Sequence, residues 1–364
     1  MTSRRKPRVA YYAHHHGTGH LRHAANIARL DAVDLLVTGT MPAAGVPDLP
    51  GGARFAPLPP DVARQGPFPP GPGTSLHYAP TVPAVRERFA RLHAYWEEFM
   101  PDVVVVDVSV ETAVFARLAG YPVIHRRMHG DRTDAPHRLA YDSVNGLIAY
   151  FPQTLETPEH LAAYGTKSTY LGMLAPRSAG RQAVQPRTVA VQTSLGGTGV
   201  RLPAVLEAAR ATPDWTWRIM GRTSGAVRDV PSNVELLGVV AEPAPLLAAA
   251  EVLVTSAGHN AVAAAAAAGR PALIIPEQRP FREQERFAQA LAGAGATAAP
   301  DFSAPTDWQR TLAALSASDP ELLARTLLVP EAEFRSRFLT AVERATAESG
   351  AGERPPVPAF SRER

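Results

Sequence analysis

Residues 252–284 run VLVTSAGHNAVAAAAAAGRPALIIPEQRPFREQ, and no other stretch constrains the fold as tightly. It reads as a short apolar strand, a Ser-Ala-Gly-His-Asn loop, an alanine-rich helix, a Gly-Arg-Pro turn, a second strand and a polar loop. Strand, helix and strand in that order build a parallel sheet with a helical crossover. The glycine loop opening the helix gathers unpaired backbone N–H groups and the positive end of the helix dipole at one point, which suits a phosphate. In an open α/β sheet that point lies at the C-terminal edge of the strands, where ligands bind.

The same alternation runs through most of the 364 residues. A β-prone run at 8–13 leads into HHHGTGH and a helical pattern at 21–30, then a strand at 33–38. Residues 42–80 are dense in Pro and Gly and read as a long loop with at most short strands. Val85, Phe89, Leu92, Trp96 and Phe99 have helical spacing. The valine run ending at Asp107 is the pattern of a strand buried on both faces. A helix at 112–119 and a strand at 122–125 follow. A second alternation starts at 188, with strands at 188–192, 216–220 and 234–237 and helices at 202–211 and 245–250. The chain therefore reads as two Rossmann-like, doubly wound α/β domains facing each other across a cleft: 1–172, then a Pro/Gly/Arg-rich linker at 173–187, then 188–330. A closing helix at 331–349 and a disordered tail at 350–364 complete it.

This pattern resembles the GT-B glycosyltransferases, most closely the group holding the bacterial peptidoglycan N-acetylglucosaminyl transferase and the natural-product transferases. Gly258, Asn260, Gly269, Pro271, Pro276, Gln278 and Gln284 fall on that group's donor motif in register. The resemblance implies an N-terminal acceptor domain and a C-terminal donor domain. It further implies that Ser256, Gly258, His259 and Asn260 hold one side of a donor diphosphate. Glu277, Gln278, Glu283 and Gln284 would then meet the donor sugar, and the backbone at Val239 and Val240 the base. Opposite them, Ser194, Gly196, Gly197 and Thr198 form a second glycine loop between strand and helix, whose N–H and hydroxyl groups suit the same diphosphate. The family's usual ribose-binding glutamate is replaced by Ala264, counted back from Gly269.

In the first half, Gly17 and Gly19 let the backbone turn sharply and leave His20 at a helix start, facing the sheet edge. Histidine suits general-base work near neutral pH, and in the resembled family a histidine of this loop serves some members in that way. A helix-capping histidine is the structural alternative. Asp107 matches a family carboxylate that orients this histidine, but its place before a helix equally fits a cap. His16, Arg126 and His129 complete the expected acceptor side, within a chain that places eleven of its twelve histidines between residues 14 and 160. Adjacent histidines diverge, so His14, His15 and His16 do not make a metal site together. At the position where relatives carry an arginine, three residues past the loop histidine, stands His23.

The formal net charge of +3 and the lack of a long basic block argue against nucleic acid. Without cysteine there is no disulfide, thiolate nucleophile or cysteine metal site. No apolar run reaches membrane-spanning length, and the first residues do not read as a signal peptide. The expectation is a cytoplasmic, metal-independent, inverting transferase with no cofactor, taking a nucleoside-diphosphate sugar, a UDP-sugar first, to a hydroxyl on a small-molecule, glycan or lipid-linked acceptor. A lipid-linked acceptor would add peripheral membrane contact. The rivals are a GT-B sugar-nucleotide epimerase or hydrolase and a non-catalytic nucleotide-sugar binding protein, which Ala264 makes credible. A Rossmann oxidoreductase fits less well, because no acidic residue ends the second strand at Thr38.

Overall fold

A computed structural model describes residues 5–14, 19–41, 45, 49–60, 75–78, 80–176, 182–193, 200–225, 229–302, 304 and 307–347. His16, Gly17, Ser194, Gly196, Gly197, Thr198 and the tail at 350–364 lie outside the described residues.

The first half contains β1 (Arg8–Tyr12), α1 (Gly19–Arg29), β2 (Asp34–Thr40), β3 (Arg54–Leu58), α2 (Pro83–Phe99) and β4 (Val103–Val106). It continues through α3 (Val110–Leu118), β5 (Val123–Arg127), α4 (Ala135–Ser143), β6 (Gly146–Ala149), α5 (Pro158–Tyr164) and β7 (Ser168–Tyr170). The second half holds β8 (Gln185–Gln192), α6 (Leu202–Arg210), β9 (Thr216–Met220), β10 (Val234–Gly238), α7 (Ala244–Ala249), β11 (Ala250–Ser256) and α8 (His259–Ala268). After it come β12 (Ala272–Ile275), α9 (Glu283–Gly293), β13 (Thr297–Ala298), α10 (Trp308–Ser316), α11 (Leu322–Leu327) and α12 (Glu331–Ala347).

The strands form two parallel sheets, in the orders β3-β2-β1-β4-β5-β6-β7 and β10-β9-β8-β11-β12-β13. Each order reverses once, between β1 and β4 in the first sheet and between β8 and β11 in the second. Connections leave such a switch point in opposite directions, which opens a crevice beyond the carboxyl ends of the two strands. The ends of β1 and β4 carry the loop to His20 and Asp107, and the end of β11 carries Ser256, Gly258 and His259. The candidate residues thus sit at both switch points.

The central strands of each sheet are buried on both faces, as a parallel sheet requires, whereas the edge strand β10 is largely exposed. Val103 and Val105 of β4 pack toward Ile27, Phe334 and Phe338, whereas Val104 and Val106 pack toward Leu92 and Trp96. β3 pairs with β2 over five residues, so the Pro/Gly-rich region contributes a full edge strand. β8 begins at Gln185, earlier than the expected 188. The alanine run of α8 lets the helix lie close on its sheet, and Gly269 ends it in the left-handed conformation at φ 60°.

The last helix, α12, leaves the second half and packs on the first. Phe334, Phe338, Ala341, Val342 and Ala345 join the core formed by Val9, Tyr11 and Ile148. At the crossing, the Met173 N–H donates to the Leu327 carbonyl, and the Val329 N–H donates to the Met173 carbonyl. Phe151 and Leu155 of the first half share a core with Phe287 and Leu327 of the second, so the seam is packed as an interior.

Candidate functional site

The centre of the seam is a buried carboxylate. Asp107 follows the all-valine β4 and has no exposed surface. Directly after it, the Ser109 N–H donates back to the Asp107 carbonyl (3.0 Å) around Val108, whose φ is 63°. A β-branched residue in that tight left-handed turn is strained, and such strain clusters at functional positions. Ser109, whose side chain accepts from the Thr112 N–H, caps α3. The capping alternative for Asp107 is thereby removed.

Around the carboxylate, His20 Nδ1 lies 3.0 Å from Oδ2, the Tyr11 hydroxyl donates to Oδ2 at 2.9 Å, and Arg126 Nη1 donates to Oδ1 at 2.9 Å. Burial alone would raise the Asp107 pKa, but the Arg126 guanidinium, aided by His20, holds it well below the usual carboxylate range. An ionised Asp107 accepts only, so Nδ1 of His20 donates to it and Nε2 is the ring nitrogen turned away from the pair. This is the geometry of an oriented general base.

The two halves meet at this point. Arg126 Nη2 lies 3.4 Å from Nδ1 of His259, the first residue of α8. Asn260 Nδ2 donates to the Gly19 carbonyl at 3.4 Å, and a Cβ on Gly19 would approach that nitrogen to 3.1 Å. With Nδ1 accepting from Arg126, the Nε2–H of His259 is a buried donor that has no partner among the described residues. The Ser256 hydroxyl is likewise buried and without a partner among the described residues. It lies 3.7 Å from where a Cβ on Gly258 would stand, and Gln284 Nε2 lies 3.6 Å from the same point. Unpaired donors around a glycine at a helix N-terminus describe an anion site.

The other expected residues take varied places. Gln284 is buried, and its Oε1 accepts from the Glu277 N–H (2.9 Å), bracing the loop after β12 against α9. Glu277 is buried and paired with Arg279 at 2.7 Å. Glu283 lies 3.7 Å from Arg132 across the seam. Gln278 lines a crevice of about 1230 Å³ at the carboxyl edge of the second sheet, with Arg201, Arg222, Arg279 and Arg282. Val239 is 60% exposed, and Val240 packs on the core under α8. The guanidinium of Arg126 is directed to Asp107 and His259 inside the seam, and His129 donates from Nε2 to the Leu155 carbonyl with its ring against Phe151 and Phe287. His23 is buried and stacks on Tyr150 at 4.3 Å.

Sequence reading missed Tyr11 and Tyr150, whose hydroxyls lie 3.4 Å apart. It also missed a surface cluster in which Asp134 contacts His77 Nε2 (2.7 Å) and His137 Nδ1 (2.5 Å). Among the described residues these three are the group whose ligand atoms lie close enough for a cation, but Arg132 Nη1 donates to His137 Nε2 at 2.9 Å and places a positive charge beside it. Phe281, from the loop before α9, packs on His77 and His137. Asp134 and His137 share one turn at the start of α4, but His77 comes from 57 residues earlier in the chain, a pairing no local spacing marks.

Buried imidazoles in and beside the seam are neutral. Burial, then Arg126, drives the His259 pKa well below the ordinary value, and burial takes His129 to about 4 and His125 to about 3. A histidine whose folded pKa is lowered stabilises the fold fully above the unfolded value near 6.5, and that contribution fades as pH falls toward the folded value. The melting temperature should therefore hold from pH 8 to 7 and fall between pH 6.5 and 4. His129 by itself should account for about 2 kcal/mol by pH 5. A melting temperature that does not change over that range would contradict neutral burial.

Comparisons with known proteins agree with this architecture. Residues 222–304 match the glycosyltransferase family 28 C-terminal domain. An uncharacterized glycosyltransferase of Methanosarcina acetivorans is 31% identical over 111 residues, a stretch that is 29% of this chain and 28% of that protein. The solved glycotransferase of kitacinnamycin superposes with a TM-score of 0.63 at 21% identity, covering 94% of this chain and all of the other. The chain has the GT-B fold. The spinosyn rhamnosyltransferase SpnG, solved with thymidine diphosphate, shares that GT-B architecture at a TM-score of 0.58 and 16% identity, over 93% of this chain and 96% of its own. No described helix of this GT-B chain is long and apolar enough to cross a membrane.

Proposed function

We propose that the chain is a metal-independent, inverting glycosyltransferase that uses a nucleoside-diphosphate sugar. Residues 1–172 would form the acceptor half, 173–187 the linker, 188–330 the donor half, and 331–349 the helix that closes back on the first. His20 Nε2 takes the proton of an acceptor hydroxyl as its oxygen bonds the anomeric carbon. The bond from that carbon to the diphosphate oxygen breaks on the opposite face, and the nucleoside diphosphate departs with the electron pair. Asp107 orients His20. The N-terminus of α8, the Nε2–H of His259 and the Ser256 hydroxyl stabilise the departing charge with fixed donors. Gly258 leaves room for that group, and Gln284 and Glu277 shape the sugar side.

The reading is carried by the close approach of the His20–Asp107 pair to the first turn of α8, which Arg126 spans. Thymidine diphosphate in the SpnG structure supports a pyrimidine nucleotide, a class that includes the UDP expected above. Isothermal titration with UDP, dTDP and GDP tests this. A pyrimidine diphosphate should bind with micromolar affinity, and Ser256→Ala should weaken it by about fivefold to tenfold, the worth of one hydrogen bond. Absence of binding by all three would refute the donor assignment.

A further inference from the structure

Arg126 is a buried cation lying beside a general base, an arrangement that calls for a reason. β5 pairs with β4 and β6 so that Val106 stands opposite His125, and Arg126 opposite Ile148. That register puts the Arg126 side chain next to Asp107, one residue beyond β4. The guanidinium is always charged, and its side chain is 2% exposed. It donates to Asp107 Oδ1, lies 3.4 Å from His20 Nδ1, and covers the ring of Tyr150 at 5.0 Å. Its second amino group is held toward His259 on α8.

A bare carboxylate beside His20 would do two things. It would orient the ring, and it would draw a proton onto Nε2, leaving the base already protonated. Arg126 separates these effects. Paired with the guanidinium, Asp107 presents His20 with a nearly neutral ion pair, while Oδ2 still accepts from Nδ1. Among the described residues, the other titratable groups around the His20–Asp107–Arg126 cluster are the Tyr11 and Tyr150 hydroxyls, the neutral His23 and His259, and His14, whose ring lies 5.6 Å from that of His20. None of the first four carries charge at neutral pH.

We infer that Arg126 is a positioning residue that offsets the charge of Asp107, so that His20 is oriented by the carboxylate yet stays unprotonated at neutral pH. The inference deepens the transferase reading and depends on it only for the meaning of the base. It gives Arg126 a place in the reaction in place of the acceptor contact expected from the sequence.

The test is a charge cycle read by NMR on the full chain carrying labelled histidine, following the His20 ring against pH. Arg126→Met, which leaves Asp107 as the sole charge, should raise the His20 midpoint by about one pH unit or more. Arg126→Lys should return most of that shift. Asp107→Asn, which leaves the cation alone, should lower the midpoint. The Arg126→Met/Asp107→Asn double variant removes both charges and should lie within about half a unit of the parent. If Arg126→Met does not fold, Asp107→Asn and the double variant still decide the matter. A midpoint unmoved by the single substitutions, or a shift that Arg126→Lys fails to restore, overturns the inference. Nucleotide titration keeps the two claims apart: a parent chain that binds no nucleoside diphosphate sinks the transferase reading, whereas the histidine midpoints stand or fall alone.

Discussion

Replacing His20 with alanine should lower sugar transfer by about 10²–10⁴-fold, the usual worth of a positioned general base, and leave nucleoside-diphosphate binding in place. The expectation follows from the separation of the two functions in space. His20 is 15% exposed at the start of α1, whereas the donors assigned to the diphosphate lie on β11 and α8. The fall should appear in kcat more than in KM for the donor, because the proton moves only in the transition state. The measurement is nucleoside-diphosphate release with acceptor present, alongside titration of the same variant with nucleotide. A variant that transfers at the parent rate, or one that loses nucleotide binding along with transfer, would remove His20 as the base.

Asp107→Ala should be the most destabilising single substitution in the seam. It strips the buried Arg126 of its counter-charge, and breaking a buried ion pair from one side costs about 3–5 kcal/mol. Asp107→Asn keeps the shape and part of the hydrogen bonding, so it should fold better, but its amide no longer fixes the Nδ1–H tautomer of His20. In hydrolase triads the comparable change costs about 10⁴-fold in turnover, and a loss of that order is expected here. Denaturant midpoints and turnover, measured on both variants, separate the effects. The pH dependence has a definite sign. The folded pKa of Asp107 is depressed, so its stabilisation is complete above the ordinary carboxylate value of 3.8 and is lost only as pH falls below it. Acid loss between pH 6.5 and 4 therefore belongs to the buried histidines, with His23, His137 and His160 adding to those above. Asp107→Ala with an unchanged denaturant midpoint would show that Arg126 finds another partner.

His23 stands where the family resemblance led one to expect an arginine, yet its ring stacks on Tyr150, while Arg126, from a strand more than a hundred residues away, brings a guanidinium to the same neighbourhood. Gln284 reads as a loop residue facing a sugar, but it lies in the first turn of α9 and braces the Glu277 backbone. α4, β6, α5 and β7 escaped the sequence reading because they are short and polar at their ends, so their periodicity covers too few residues to stand out. β3 is one of the short strands the sequence allowed within residues 42–80, and only its pairing with β2 fixes where it lies.

The linear chain by itself determined the two-sheet α/β architecture, the glycine loop at α8 and the candidacy of His20 and Asp107. Valine runs, helical spacing and Gly/Pro punctuation are local signals that survive without a partner in space. Tertiary structure alone decided that Ser109 caps α3 and leaves Asp107 free, that Arg126 joins the base pair to α8, and that α12 returns to the first core. Each of those depends on which strands pair and in what register, and pairing between distant segments is set by burial of the whole sheet, which no short window of sequence contains.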